Sequence, residues 1–147
     1  MSTPQPLDVL LVEDDPNDLK LTLHAFRKYH LANVVHVARD GAEALEFVFR
    51  TGRHADRPGG HPHLILLDLK LPLMDGIEVL RRLKESPVSR FIPIVVLTSS
   101  REDKDLTACY ELGVNSYIVK PVDFGQFGEV VRQLGFYWLL INQPPPG

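Results

Sequence analysis

The chain has 147 residues, 44% hydrophobic and 24% charged, the balance of an ordinary soluble globular domain with one sizeable core. Its formal net charge of −3, with no long cluster of Lys and Arg, argues against nucleic acid as a partner. The longest apolar run, Phe136 to Ile141, is too short to span a bilayer, no basic and apolar leader opens the chain, and the single Cys109 excludes an internal disulfide and fits a reducing cytoplasm.

Residues 1–6 read as a flexible N-terminus, and a first strand is expected over Asp8–Glu13. Asp15-Pro16-Asn17-Asp18 then offers an N-cap, a proline at the first helical position and an acid in the first turn. Leu19, Leu23 and Phe26 make that helix's apolar stripe. A second strand, Asn33–Val37, precedes a helix opening at Asp40-Gly41-Ala42-Glu43, which resembles a capping box with Asp in the Ser/Thr position. The Gly-, Pro- and His-rich "TGRHADRPGGHPH" reads as an exposed excursion. Its His61-Pro62-His63, with His54, lacks Cys or acid partners at fixed spacing and reads as solvated loop histidines rather than a zinc site.

Leu64–Asp68 is the third strand, followed by a helix opening at Asp75-Gly76-Ile77-Glu78 with the stripe Val79, Leu80 and Leu83. A fourth strand, Ile92–Thr98, leads to Ser99-Ser100-Arg101-Glu102, a capping box in its usual form. Cys109 lies on the inner side of the helix that follows, as a small buried thiol. The fifth strand is Asn115–Val119. The last helix starts near Asp123-Phe124-Gly125-Gln126, with Phe124, Phe127, Val131, Leu134 and Trp138 as its stripe. One unit over 7–141, including an extended last helix, is expected, with 142–147 as a Pro-rich tail.

The candidate strands are continuous in Val, Ile and Leu rather than alternating, which suits strands covered on both faces of a parallel sheet. Strand and helix alternate throughout, the pattern of a doubly wound α/β domain. Right-handed crossovers make the flavodoxin-like order 2-1-3-4-5 the expected five-strand solution.

In such a sheet, ligands bind beyond the carboxyl ends of the strands. The first strand delivers Glu13 and Asp14 there, the third Asp68, the fourth Thr98 and Ser99, and the fifth Lys120. Three facing carboxylates repel and raise one another's pKa unless a cation joins them. An all-oxygen set suits a hard divalent ion, Mg²⁺ best, which accepts carboxylates, waters and phosphate oxygens. A hydroxyl and an ammonium beside it are partners for a phosphoryl oxygen, and a carboxylate can itself be the nucleophile. The set therefore points to phosphoryl chemistry on Asp68, with Glu13 and Asp14 serving the cation and Asp15 serving as N-cap.

The segments "LLVEDDP", "LILLDLKLPLMDG", "VVLTSS" and "SYIVKP", in order and at the right spacing over about residues 7–135, resemble the response-regulator receiver domain of two-component signalling. The resemblance implies that Asp68 accepts a phosphoryl group from a sensor histidine kinase. It implies that Asp14, Asp68 and the backbone carbonyl of Lys70 bind Mg²⁺ directly, and Glu13 through a water. Lys120 would pair with the phosphoryl group, Thr98 would hydrogen-bond it, Tyr117 would be the aromatic switch, and Pro121 is a cis-proline candidate. The loop Thr51–Pro62 and the ending "FGQFGEVVRQLGFYWLLINQPP" are similar to the small single-domain regulators paired with cyanobacterial and bacterial phytochromes, whose kinases sense light. Lys70, two residues after the acceptor, departs from the Asn or uncharged residue many receivers carry.

Two alternatives stand beside this reading: an aspartate-nucleophile phosphatase, for which a second acid is expected where Lys70 stands, and an interaction module with a degenerate site. Within signalling, relay of the phosphate onward is the other output. No DNA-binding output domain is expected. The six apolar residues Phe136 to Ile141 exceed what one helix face can bury, so a two-fold homodimer through the last helix and tail is expected.

Overall fold

Runs of Val, Ile and Leu build a parallel sheet of five strands: β1 (Asp8–Val12), β2 (Val34–Ala38), β3 (Leu64–Leu67), β4 (Ile94–Thr98) and β5 (Ser116–Val119), in the order 2-1-3-4-5. The computed structural model describes residues 8–30, 34–120 and 124–135. Five α-helices make the crossovers and the close: α1 (Pro16–Lys28), α2 (Gly41–Phe49), α3 (Gly76–Glu85), α4 (Asp103–Glu111) and α5 (Phe124–Gly135). None of the described helices is long and apolar enough to cross a membrane. The expected flavodoxin-like order is the one observed.

Successive strand residues point to opposite faces, and the sheet therefore carries two cores. On one face Leu10, Val12, Ile65, Leu67, Ile94 and Val96 meet Phe47 and Val48 of α2, Val79, Leu80 and Leu83 of α3, and Cys109 of α4. On the other, Val9, Leu11, Leu64, Leu66, Val95 and Leu97 meet Leu19, Ala25 and Phe26 of α1 and Val131 of α5. A side chain such as Phe26 or Leu80, fully withdrawn from water, contributes about 1.5–3 kcal/mol by burial.

Two-sided burial holds for the central strands β1, β3 and β4 but not for the edges. β2 and β5 are mostly half-buried, with Val34 43% exposed, because each has a neighbour on one side only. β4 begins at Ile94 rather than Ile92, since Pro93 has no N–H to give a ladder, although its carbonyl still accepts from Ile65 at 2.9 Å.

Three aspartate caps form as expected, while the box expected at Asp123 lies outside the described residues. The Asp15 side chain accepts from Asn17 N and Asp18 N, that of Asp40 from Glu43 N, and that of Asp75 from Ile77 N. The Ser99–Glu102 box does not form: α4 starts at Asp103 with Glu102 as a cap whose side chain makes no capping hydrogen bond. Ser100 is instead turned inward, its hydroxyl 2.5 Å from Asp105 Oδ2.

The Gly- and Pro-rich loop is exposed along much of its length, yet firmly anchored. The Arg57 guanidinium stacks 4.0 Å from the centre of the Phe47 ring, its Nε donates to Phe47 O at 2.9 Å, and Pro62 is buried. Two of its histidines are engaged: His54 Nε2 lies 3.1 Å from Glu43 Oε2, and His63 Nδ1 accepts from Asp8 N at 3.0 Å. Of the expected stripe on α5, Val131 is buried; the side chains of Phe124, Phe127, Leu134 and Trp138 lie outside the described residues, as do Pro121 and the apolar run from Phe136 to Ile141.

Candidate functional site

Glu13, Asp68 and Lys120 share one local construction. Each stands one residue past the end of its strand, with its N–H still bonded to the last carbonyl of the neighbouring strand. Glu13 N donates to Ala38 O at 3.0 Å, Asp68 N to Val12 O at 3.1 Å and Lys120 N to Thr98 O at 2.7 Å. The sheet ladder thus sets the backbone positions of all three, and their side chains converge over its carboxyl edge.

Lys120 Nζ is the hub. It lies 2.6 Å from Glu13 Oε1, 2.8 Å from Asp18 Oδ2 and 3.1 Å from Asp68 Oδ2. Glu13, Asp68 and Lys120 are buried, at 3%, 8% and 9% exposure, so these ion pairs are largely withheld from solvent screening. Removing the ammonium alone would leave two carboxylates buried without a counter-charge, a change that costs on the order of 3–5 kcal/mol.

Burial, joined by the charge of Asp68, pushes the Glu13 carboxyl up to about 7 against the pull of Lys120. Burial also works against the charge on Lys120, but its hydrogen bonds to Asp18 and Glu13 and the charge of Asp68 outweigh it, and its pKa is raised. The ammonium therefore stays charged at neutral pH.

One carboxylate oxygen each from Glu13, Asp14 and Asp68 lie within 4.8 Å of one another, the one such group of three among the described residues. An all-oxygen set, with Asp14 exposed at its rim, fits a hard divalent cation. Asp68 Oδ1 also accepts from Lys70 N at 3.3 Å, while the Lys70 side chain is exposed. Behind Asp68 the α3 terminus packs tightly. Gly76 N donates to Leu69 O at 2.9 Å, and a Cβ on Gly76 would fall 2.3 Å from Asp68 O.

Thr98 is fully buried at the end of β4, and its Oγ1 accepts from Ser100 N at 3.3 Å. Tyr117 on β5 is half-buried, and its hydroxyl donates to Ser100 O at 3.0 Å. Burial raises the Tyr117 pKa. Of the two serines after Thr98, Ser99 is exposed and Ser100 is the inward one.

The structure thus brings together Glu13, Asp14, Asp68 and Lys120, with Thr98 and Tyr117 joined through Ser100. Sequence reasoning missed Asp18, which it read as a first-turn acid, and the Ser100–Asp105 pair. Asp18 carried a signal: the first turn of a helix after a strand end faces the same crevice as the strand end itself.

A 2-1-3-4-5 sheet that gathers carboxylates, an ammonium and a buried hydroxyl at its carboxyl edge is the build of a phospho-acceptor signalling domain. The chain matches the response regulator receiver domain over residues 9–132, and it belongs to that family. It is 37% identical over 134 residues to response regulator Rcp1 of Synechocystis sp. (strain PCC 6803), covering 91% of this chain and 90% of that protein.

The Mn²⁺-bound form of Rcp1 superposes with a TM-score of 0.89 at 36% identity, over 96% of this chain and 100% of that one. The phosphorylated cyanobacterial phytochrome response regulator RcpA gives a TM-score of 0.91 at 35% identity, over 97% of this chain and 100% of that one. The bacteriophytochrome response regulator AtBRR is 55% identical over 95% of this chain and 100% of its own, with a TM-score of 0.76. Receiver domains bind a divalent metal and act as signalling phospho-acceptors. The phosphatase alternative is not favoured.

Proposed function

We propose that the chain is a single-domain response regulator, its receiver unit spanning residues 7–141, which accepts a phosphoryl group on Asp68 from the phosphohistidine of a sensor histidine kinase. The observation that carries this reading is the contact of Lys120 Nζ with both Glu13 and Asp68, with the Asp14 carboxylate beside them. A carboxylate oxygen of Asp68 attacks phosphorus, the bond from phosphorus to the donor imidazole nitrogen breaks, and the electron pair leaves with that nitrogen, which is protonated. Lys120 meets the charge of the incoming phosphoryl oxygens, and the Thr98 hydroxyl hydrogen-bonds one of them.

Asp14, Asp68 and the Lys70 carbonyl are assigned as the direct ligands of Mg²⁺, and Glu13 as a ligand through water. When bound, the ion screens the carboxylates from the phosphate. The new charge, about −1.5 to −2, draws Lys120 and Thr98 toward it, and Tyr117 reports the change to the protein's surface. The cognate kinase is assigned as a phytochrome, on the similarity to RcpA and AtBRR.

With Mg²⁺ and acetyl phosphate, intact-mass analysis should find one added phosphoryl group, abolished by Asp68→Asn and by chelation of the metal. Labelling that persists in Asp68→Asn moves the nucleophile elsewhere. A two-fold homodimer through the last helix and tail is part of the proposal, supported by the six apolar residues Phe136 to Ile141. Light scattering should give a dimer that truncation after Leu134 abolishes; a monomer at micromolar concentration, with and without beryllofluoride, overturns that part alone.

A further inference from the structure

Only two of the three acids on Lys120 belong to the set that could share a cation. The third, Asp18, is nearer to Nζ than Asp68 is, at 2.8 Å against 3.1 Å. Asp18 is the third residue of α1, and its place is fixed independently of the pocket. Its N–H donates to the capping carboxylate of Asp15 at 3.1 Å, and its carbonyl accepts from the Thr22 hydroxyl at 2.8 Å. Its side chain, 29% exposed, turns across to the ammonium.

The ammonium and a divalent cation make rival claims on the same carboxylates. Glu13 and Asp68 both bond to Nζ, and both belong to the oxygen set with Asp14. Two positive centres drawing on those groups repel, so a cation that takes them weakens the hold on Lys120. The lysine chain has four flexible carbons and three rotatable donors, and an unheld ammonium swings out to water. Asp18 lies outside the cation set, on a capped helix end, and its bond survives that exchange.

We propose that Asp18 is a positioning residue: its carboxylate keeps the Lys120 ammonium beside Asp68 when a divalent cation takes an oxygen of Asp68 and draws on Glu13 through its water. The inference rests on the receiver reading of this pocket. It makes cation binding and lysine placement compatible. Without Asp18 the ammonium has only the contested carboxylates and competes with the ion for them.

The test is a double-mutant cycle on Mg²⁺ affinity, measured by calorimetry on wild type, Asp18→Ala, Lys120→Met and the double variant. Asp18→Ala should weaken Mg²⁺ about tenfold in the wild-type background, the lower end of what loss of a supporting residue does to a metal site. In the Lys120→Met background the same change should cost about twofold or less. Asp18→Asn, which keeps an acceptor oxygen without the charge, should lie between wild type and Asp18→Ala. In the Mg²⁺-loaded wild type the Lys120 ammonium should give a slowly exchanging ¹⁵N signal, lost in Asp18→Ala. Equal losses of affinity in both backgrounds would mean that Asp18 acts on the ion by charge alone and would overturn the proposal, as would an ammonium signal unchanged in Asp18→Ala. Neither readout involves phosphorylation, so failure of Asp68 to label bears on the receiver reading, while the cycle and the ammonium signal decide the role of Asp18.

Discussion

The Tyr117 hydroxyl donates to the carbonyl of Ser100 at 3.0 Å, tying β5 to the loop between β4 and α4. Ser100 also gives its N–H to Thr98 Oγ1 at 3.3 Å and pairs with Asp105, in the first turn of α4, at 2.5 Å. The buried threonine hydroxyl is therefore two bonds from a half-buried tyrosine and from a helix terminus. Thr98→Ala should still take phosphate from acetyl phosphate, because the hydroxyl performs no step of the transfer. Its loss removes one hydrogen bond, about 0.5–1.5 kcal/mol, and with it the link from phosphate to Ser100. The Tyr117 ring resonances should then move less on phosphorylation than in wild type, and Thr98→Ser should restore them. A full wild-type shift in Thr98→Ala contradicts the coupling.

Gly76 is required for the closeness of α3 to the acceptor strand rather than for backbone freedom. A Cβ there meets Asp68 O at 2.3 Å and Leu69 Cα at 2.6 Å, both backbone atoms that no rotamer change can move aside. Gly76→Ala should cost about 1–3 kcal/mol, the range for overpacked sites, and slow labelling of Asp68 by displacing its carbonyl. Gly60→Ala, where an added Cβ meets nothing within 4 Å, is the control and should stay within about 0.5 kcal/mol of wild type in urea unfolding. Equal midpoints for the two variants would show that α3 can draw back from the strand at no cost.

The fold was legible because its signals are local and agree with one another. Apolar runs stop at Glu13, Asp68, Thr98 and Lys120, and Asp15, Asp40 and Asp75 cap α1, α2 and α3. The convergence of Asp14, Asp68 and Lys120 followed from strand order alone. What stayed hidden depends on side-chain geometry. Nothing in "PND" says that Asp18 turns to Lys120 rather than to water, and nothing in "TSSRE" says that Ser100 prefers Asp105 to a capping role. Arg50 and Leu73 adopt φ of 55° and 70° where a glycine or asparagine would have announced the turn. The loop after α2 looked unanchored because stacking of Arg57 on Phe47 joins residues ten apart, which no periodicity reports.

Arg57 should prove the fastening of that loop. Besides the stack on Phe47 and the bond to its carbonyl, Arg57 Nη1 donates to Gly60 O at 3.0 Å, so one planar group holds both sides of the excursion. Arg57→Lys keeps the charge but loses the fork and the flat face. It should lower stability by about 1–2 kcal/mol and speed amide hydrogen exchange across 52–60 more than in the sheet. Unchanged exchange in that loop would show the other contacts sufficient.

Cys109 gives the pH dependence. The thiol is fully buried among the α3 and α4 side chains and the sheet, and burial pushes its pKa from 9.0 up to about 11, with the charges of Asp105 and Asp75 adding to the effect. A raised acid pKa means that the native state keeps a proton the unfolded chain gives up. Stability contributed by Cys109 is thus constant below pH 9 and falls as pH rises from 9.0 toward 11, by at most about 1.4 kcal/mol per pH unit. Cys109→Ala should remove that part of the slope at the cost of a small cavity, so the wild-type and variant curves of stability against pH should converge between those limits. The native thiol should also resist dithionitrobenzoate at pH 8 and react once urea unfolds the chain. Rapid modification of the folded protein, or parallel pH curves for wild type and Cys109→Ala, would show the thiol exposed to solvent and its ionisation unlinked to folding.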